Sequence, residues 1–255
     1  MIKKIFIYWD NNFQKAPLVI QKCLATWKLK NTSWEIIELD NSNLRNYIDI
    51  QLEISNLNKK RISVTSYSDI IRIFLLSKYG GCWCDSSTFC VVPLDNWLKK
   101  ALNGNKFFAF TNNPPKGSHK KKILSSWFLY GEPNSYLIKK WKQAVIKYWE
   151  SYDETSDYFW FHHLFTELTI KNLQFKKRWM NTTFISNKYS HFLKREGLMT
   201  MITLRVKKHI RSRQALIYKL THKYDSSDYR KNCILDYLLG KLNLRFLHIP
   251  KNHFA

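Results

Sequence analysis

The chain has 255 residues, with 42 Lys and Arg against 19 Asp and Glu, a formal charge of +23, and is 45% hydrophobic and 16% aromatic. That apolar content suffices for the core of an enzyme-sized domain and excludes the low-hydrophobicity composition of a disordered chain. The positive surplus calls for an anionic partner (nucleic acid, an acidic membrane leaflet or a phosphorylated substrate), and composition does not choose among these.

Lys4 to Tyr8 alternates around β-formers and reads as a first strand. Polar Asp10-Asn11-Asn12 follows, and a helix is predicted from about Pro17 to Lys30. Trp34 to Leu39 reads as a second strand, and strand, helix, strand in this order opens an α/β domain with a parallel sheet. Thr65 to Tyr79 is predicted helical, with Ser66 or Ser68 as N-cap and Gly80-Gly81 just past its end. Cys82-Trp83-Cys84 then forms a short buried strand ending at Asp85. Thr88 to Val92 extends or re-enters the sheet, and Phe107 to Phe110 and Trp127 to Tyr130 supply further strands. The second half is more helical, over Ser135 to Trp149, Tyr158 to Ile170 and Ser227 to Leu242.

No run reaches the roughly 18 apolar residues of a membrane-spanning helix, and Met1 to Tyr8 is too short and β-like for a secretory leader. A cytoplasmic protein is expected. Cys23, Cys82, Cys84, Cys90 and Cys233 form no C-x-x-C pair, which predicts reduced thiols and no zinc site. Between Lys194 and Lys223, basic residues interleave with apolar ones such as Leu198, Met201, Leu204, Val206 and Ile217. This reads either as an amphipathic surface for an anionic membrane or as a solvated face of a basic protein.

The chemistry concentrates in Ser68 to Ser87. Asp69 and Arg72, three apart, project from neighbouring positions near a helix start. The two glycines turn the chain back, and the short strand delivers Asp85 to its carboxyl end, the edge where open α/β sheets bind ligands. Asp85 suits a hard divalent cation such as Mg²⁺ or Mn²⁺, or caps a turn. Asp69 and Arg72 suit a polyhydroxylated ligand, or form a surface ion pair.

Ser68-Asp69…Arg72…Leu75…Tyr79-Gly80-Gly81…Trp83…Asp85 resembles the signature of the capsular polysaccharide synthesis proteins, related to glycosyltransferase family 32. The opening Lys4 to Trp9, the Ala16 to Trp27 helix, Trp34 to Ile48 and Asp157 to His162 are similar to family landmarks in family order, with thinner similarity around Tyr218 to Lys223. The resemblance implies one GT-A-type, Rossmann-like α/β domain over residues 1–255 with a mainly parallel sheet. Its first part, 1–130, would bind the nucleotide-sugar and its second, 131–255, would face acceptor and membrane.

It further implies transfer of a hexose from a UDP- or GDP-sugar to a hydroxyl of a lipid-linked oligosaccharide or other saccharide. The reaction would proceed with retention, at the inner face of the cell membrane. By position, Asp69, Arg72 and Asp85 would be catalytic, and Tyr8, Trp9, Ser87 and Lys219 would join Asp69 and Arg72 in holding the donor. Asp85 would open a metal-binding D-x-D-like motif for Mn²⁺ or Mg²⁺. Ser87 stands where the second acid of such a motif would be, although family members often have D-x-T there; either Asp85 and the diphosphate hold the ion with a further group such as His162, His163 or His222, or metal dependence is weak. Lys219, His222 and Lys223 are expected on a late loop over the diphosphate.

Asp157 reads as a helix cap or an acceptor contact, and His162 as a ligand or a core histidine. Trp97, Trp127, Trp141, Trp149 and Trp179 read as core or as sugar platforms, with Trp127 in the region expected to approach the acceptor. The runs Lys116 to Lys122 and Lys176 to Arg178 would meet acceptor phosphates or simply be solvated. A nucleic-acid binder is the rival suggested by charge, but no recognised nucleic-acid motif is present and none is expected as partner. A catalytically lapsed membrane scaffold is the rival suggested by Ser87.

Overall fold

The computed structural model describes residues 1–112, 123–224 and 229–240. In chain order these form β1 (Lys4–Tyr8), α1 (Leu18–Lys30), β2 (Glu35–Leu39), α2 (Val64–Lys78), β3 (Gly81–Cys84), β4 (Thr88–Cys90), α3 (Leu98–Leu102), β5 (Phe107–Thr111) and β6 (Leu124–Gly131). The second half adds α4 (Tyr136–Ser151), α5 (Trp160–Lys171), α6 (Leu173–Met180), β7 (Ile185–Ser186), α7 (Phe192–Glu196), α8 (Leu204–Ser212), β8 (Ile217–Lys219) and α9 (Ile234–Gly240).

The central sheet has the order β2-β1-β3-β6-β5-β7. Pairs β1/β2, β1/β3 and β5/β7 are parallel, and β6 runs antiparallel to both of its neighbours. The sheet is therefore mainly parallel, as expected. Both of its faces are covered, which is why β1 is apolar almost throughout. Ile5 and Ile7 join Val19, Ile20, Cys23 and Trp27 of α1 on one side. Phe6 and Tyr8 join Ile70 to Leu76 of α2, with Trp141 and Phe161 from α4 and α5, on the other.

Several details differ from expectation. Ser63, not Ser66 or Ser68, caps α2, its hydroxyl accepting from the Ser66 amide. Thr88 to Cys90 does not extend the central sheet; it pairs antiparallel with β8 in a second, two-stranded sheet. Helix α5 starts at Trp160, because the Asp157 carboxylate accepts from the Phe159 amide and holds Tyr158 and Phe159 in a preceding turn. Of the helix predicted over Ser227 to Leu242, residues 229–240 are described and only Ile234–Gly240 is helical, 229–233 being coil, turn and bridge; Lys116 to Lys122 lie outside the described residues. The five cysteines are free and buried.

Most of the apolar positions in the basic segment belong to the core. Leu198, Val206 and Ile217 are buried, and Met199, Ile202, Ile210 and Leu216 pack against them. Met201 and Leu204 remain exposed. No helix among the described residues is long and apolar enough to cross a membrane.

The α2–β3 connection is the turn on which the site depends. Gly80 and Gly81 have φ of +67° and +98°, in the region L side chains avoid. A Cβ on Gly81 would lie 2.6 Å from the Lys4 carbonyl oxygen, so β3 can approach β1 only with glycine there. Gly81→Ala is expected to cost about 1–3 kcal/mol, read as a lower urea midpoint with an unchanged slope.

Candidate active site

Asp85 follows β3 at the carboxyl edge of the parallel strands, where α/β sheets present ligand-binding loops. Its amide donates to the Trp127 carbonyl at 2.8 Å, and its own carbonyl accepts from the Thr88 amide at 2.9 Å and the Thr88 hydroxyl at 2.6 Å. The Trp27 indole donates to the Thr88 carbonyl at 2.9 Å, tying this turn to α1. The carboxylate is thus aimed by backbone contacts on three sides.

Arg72, from the third turn of α2, is 3% exposed and reaches that carboxylate. One terminal nitrogen lies 2.6 Å from Asp69 Oδ1 and the other 3.1 Å from Asp85 Oδ1. The guanidinium also donates to Ser68 Oγ at 3.2 Å and the Ser126 carbonyl at 3.3 Å, and lies over the rings of Trp83 and Phe161. Spacing along α2 makes Asp69 and Arg72 partners, but burial makes the pair internal rather than a surface ion pair. Ser68, considered for capping, is instead a ligand of the arginine.

Lys219 completes the cluster from the far end of the chain. Pairing of β4 with β8 sets Lys219 opposite Thr88, the Leu220 amide donates to the Ser87 carbonyl at 2.9 Å, and the Lys219 amide donates to the Ser190 carbonyl at 2.9 Å. The side chain then places Nζ 2.8 Å from Asp85 Oδ2 and 2.6 Å from Ser87 Oγ. Lys219 ends a strand and does not sit on a loop, so its position is fixed by sheet hydrogen bonds. Burial alone would raise the Asp85 pKa; the Lys219 ammonium, the Arg72 guanidinium and hydrogen bonds from Lys219 and Trp83 overrule it and hold the carboxyl well below the ordinary carboxylate range.

These groups open onto a cleft of about 630 Å³. Four cationic side chains line it, Arg72, Lys194, Lys219 and Lys223, against two acidic ones, Asp10 and Asp85. Tyr8, Trp9, Tyr158 and His222 add rings. Trp9 meets His222 edge to face at 5.2 Å, while the Tyr8 hydroxyl donates to Asn41 Oδ1 at 2.7 Å. Burial first, then Lys219 and Lys223, lowers the His222 pKa, so the imidazole is neutral near neutral pH. Burial, with Asp10 nearby, pushes the Tyr8 phenol up. A smaller pocket of about 350 Å³ shares Tyr8, Asp10 and Val64 with the cleft and adds the amides of Asn41, Gln51 and Asn58. A larger groove of about 870 Å³ over α4 and α5 shares no lining residue with the cleft and has no such cationic surplus.

Tyr8, Trp9, Arg72, Asp85, Ser87, Lys219 and His222 therefore come together. Asp69 is 4% exposed, is paired with the guanidinium and does not itself line the cleft. His162 is buried beside the rings of Phe159 and Phe161 and does not line the cleft. Asp157 caps its turn and pairs with His163 Nδ1 at 3.1 Å, also outside the cleft. Trp127 stacks on Phe110 at 4.9 Å in the core, and Trp97, Trp141, Trp149 and Trp179 are likewise buried. Lys176, Lys177 and Arg178 are exposed on α6. Lys194 and Tyr158, by contrast, gain importance only from the cleft; in the sequence Lys194 was one of many basic residues. Lining residues come from both sides of the expected division at residues 130 and 131.

The donor set does not fit Mn²⁺ or Mg²⁺. Such ions take one or two protein carboxylates with water and phosphate oxygens completing the shell; no group of three or more His, Cys, Asp or Glu suited to a metal exists among the described residues, and both oxygens of Asp85 are already engaged. Asp85 Oδ1 accepts from Arg72 and from the Trp83 indole at 2.9 Å, and Oδ2 accepts from Lys219. Neighbouring Cys84 is buried and its thiol pKa is raised, so it offers no thiolate.

The site is thus an anion-receptive cleft at the strand ends of an α/β protein. The family model described as capsular polysaccharide synthesis protein matches residues 1–238, and the chain belongs to that family. It is 25% identical over 160 residues to the O-glycosyltransferase PaGT of Phomopsis amygdali, covering 58% of this chain and 39% of that protein. It is 21% identical over 162 residues to the O-glycosyltransferase braB of Annulohypoxylon truncatum, covering 58% and 38%. The matched region spans about two fifths of the length of these relatives. Among solved structures, the PaToxG glycosyltransferase matches with a TM-score of 0.42 and 14% identity, over 82% of this chain and 84% of that one. The catalytic domain of α-toxin from Clostridium novyi matches with a TM-score of 0.36 and 12% identity, over 67% and 64%.

The lowered pKa of Asp85 has a sign that can be measured. Its ion pairs contribute stability above the unfolded-state value of about 3.9, and that contribution is lost as pH falls toward the depressed folded value. Wild-type unfolding free energy is expected to drop below about pH 4, whereas Asp85→Asn, weaker at pH 7, should show a flatter acid limb. Arg72→Ala, which leaves buried Asp69 without its cation and half-buried Asp85 with Lys219 alone, should cost about 3–5 kcal/mol in denaturant unfolding.

Proposed function

We propose that this chain is a glycosyltransferase of GT-A type, moving a hexose from a UDP- or GDP-sugar to a hydroxyl of a lipid-linked oligosaccharide or other saccharide in surface polysaccharide assembly. The observation that carries the reading is the cationic, aromatic-lined cleft at the strand ends, built on the family signature Ser68 to Asp85. A diphosphate bears charge opposite to the surplus of Arg72, Lys194, Lys219 and Lys223. Trp9 and Tyr8 offer rings to the base, and the adjoining pocket offers the amides of Asn41, Gln51 and Asn58 for its polar edge. Tyr158, 69% exposed at the rim, is where a sugar ring or the acceptor would pass.

In this reading Asp69 is a positioning residue that orients Arg72, and Arg72 with Asp85 forms the wall against which the hexose is held. Positioning a donor close to the attacking hydroxyl supplies much of the acceleration, and fixed cations meet the charge that develops on the departing diphosphate. Asp85 is committed to two cations and is not free to take a proton, which favours attack from the leaving-group side, the phosphate oxygen receiving the acceptor's proton. Retention follows from that path. The family's expected cofactor is Mn²⁺ or Mg²⁺, with Asp85 as its carboxylate ligand. The donor set argues against it.

Attachment at the inner face of the cell membrane is supported by α8, where Leu204 is 84% exposed and Arg205, Lys208 and Arg211 face solvent. Co-sedimentation with phosphatidylserine vesicles is expected at low salt and should be lost in Arg205→Glu/Lys208→Glu; binding by neither form would remove the membrane from this reading.

Thermal unfolding against a panel of UDP-, GDP-, CMP- and dTDP-sugars tests the donor. Ligand at a hundred times its Kd adds about 2.7 kcal/mol, which for a chain of this size raises Tm by roughly 5–10 °C. A rise with a UDP- or GDP-sugar, reduced in Trp9→Ala and in Lys194→Ala, is the expected outcome. No rise with any nucleotide sugar, with or without Mn²⁺, would sink the proposal.

A further inference from the structure

We infer that the Lys219 ammonium is the resident counter-cation of this cleft, standing between residues 85 and 87 where a divalent ion would otherwise be held, so that a nucleoside diphosphate binds without metal. The inference rests on the donor reading above and deepens it.

Nζ of Lys219 bridges both ends of Asp85-Ser86-Ser87, at 2.8 Å from Asp85 Oδ2 and 2.6 Å from Ser87 Oγ. These are the two positions from which a D-x-D-like motif would present oxygens to an ion. A dication placed there would have to evict an ammonium and would meet Arg72 on the other carboxylate oxygen at 3.1 Å. In exchange it would gain, among the described residues at this motif, one carboxylate and a neutral hydroxyl, and would have to draw the rest of its near-octahedral shell from water and the diphosphate.

The position of the lysine is built into the fold. Its backbone is held on one side by the β4–β8 pairing and on the other by the Ser190 carbonyl, and the following amide is bonded to Ser87 itself. An ammonium has three donors; two are used by Asp85 and Ser87, and the third is left for an anion in the cleft that Lys219 lines. During transfer the bond between the sugar's anomeric carbon and the β-phosphate oxygen breaks, its electron pair staying on that oxygen. The acceptor oxygen forms the new bond to the anomeric carbon, and the acceptor's proton passes to the phosphate. The negative charge gathering on the departing diphosphate is met by Lys219, with Lys194 and Lys223 on the same cleft wall. The Ser87 hydroxyl, a poor metal ligand, is a good acceptor for this ammonium, which gives a hydroxyl at this position a role that needs no metal.

Two measurements on the wild-type protein test this without any variant: titration with Mn²⁺ alone, followed by the electron paramagnetic resonance of the free ion, and calorimetric binding of UDP and GDP in EDTA and in Mn²⁺. The expected results are no Mn²⁺ uptake at millimolar ion, and nucleotide affinity the same within about twofold in both buffers. Lys219→Ala should lose on the order of 10- to 100-fold in affinity in EDTA, the worth of a charge-assisted hydrogen bond, and Lys219→Arg should keep most of it. The double variant Ser87→Asp/Lys219→Ala should acquire Mn²⁺ uptake. Binding of UDP or GDP that requires Mn²⁺, or tight Mn²⁺ uptake by the wild type, overturns the inference while leaving the donor reading intact. Failure of both nucleotides to bind in either buffer overturns the donor reading and this inference with it.

Discussion

A line of alternating charge, Asp69, Arg72, Asp85 and Lys219, is the constraint on which the site depends. The four formal charges cancel, and each inner member touches two opposite neighbours. Burying any one of them alone would cost several kcal/mol, so the line is tolerable only when complete. Completion requires that α2, the turn after β3 and strand β8 be in place together. The cleft is therefore an outcome of the whole fold and not a patch laid on it.

Packing explains how the line is held open to solvent on one side only. Trp83 and Phe161 lie under the guanidinium, and Phe161 is itself stacked on Trp141 at 4.0 Å, so the α4 and α5 layer backs the arginine with rings. On the sheet's other face, Trp27 reaches across to the turn that carries Asp85. Polar groups that elsewhere would be liabilities, such as Ser68 and the Ser126 carbonyl, are consumed as acceptors for Arg72. The charge surplus of the chain is spread over its surface, but within the cleft it is concentrated by geometry, since β8, the segment after it and α7 bring Lys219, Lys223 and Lys194 to one cleft.

Much of this was legible in the residues. The Gly80-Gly81 pair announced the reversal that puts Asp85 on a strand end, and the three-residue spacing of Asp69 and Arg72 announced their pairing. β1 and the following helix and strand announced a parallel sheet. Ser87 was visible in place of a second acid, and weak metal dependence was one of its two readings, but the cation that meets it was not visible. What misled was local: His162, Asp157 and Trp127 carry side chains that suit a site, and each was claimed instead by the core or by a turn. The amphipathic run near α8 looked like a membrane face, yet most of its apolar positions were needed inside.

Sequence alone determined the elements that depend on near neighbours: the strands and helices of the first ninety or so residues, the glycine turn, and the acid and guanidinium one helical turn apart. Only the tertiary structure decided which cation would neutralise Asp85, because Lys219 is 134 residues away along the chain and arrives through the pairing of β4 with β8. Periodicity reports which face of an element is buried and says nothing about which distant strand will lie against it. Long-range pairing, set by the shape of the completed core, turned a lysine expected to hover over a diphosphate into the partner of the site's central carboxylate.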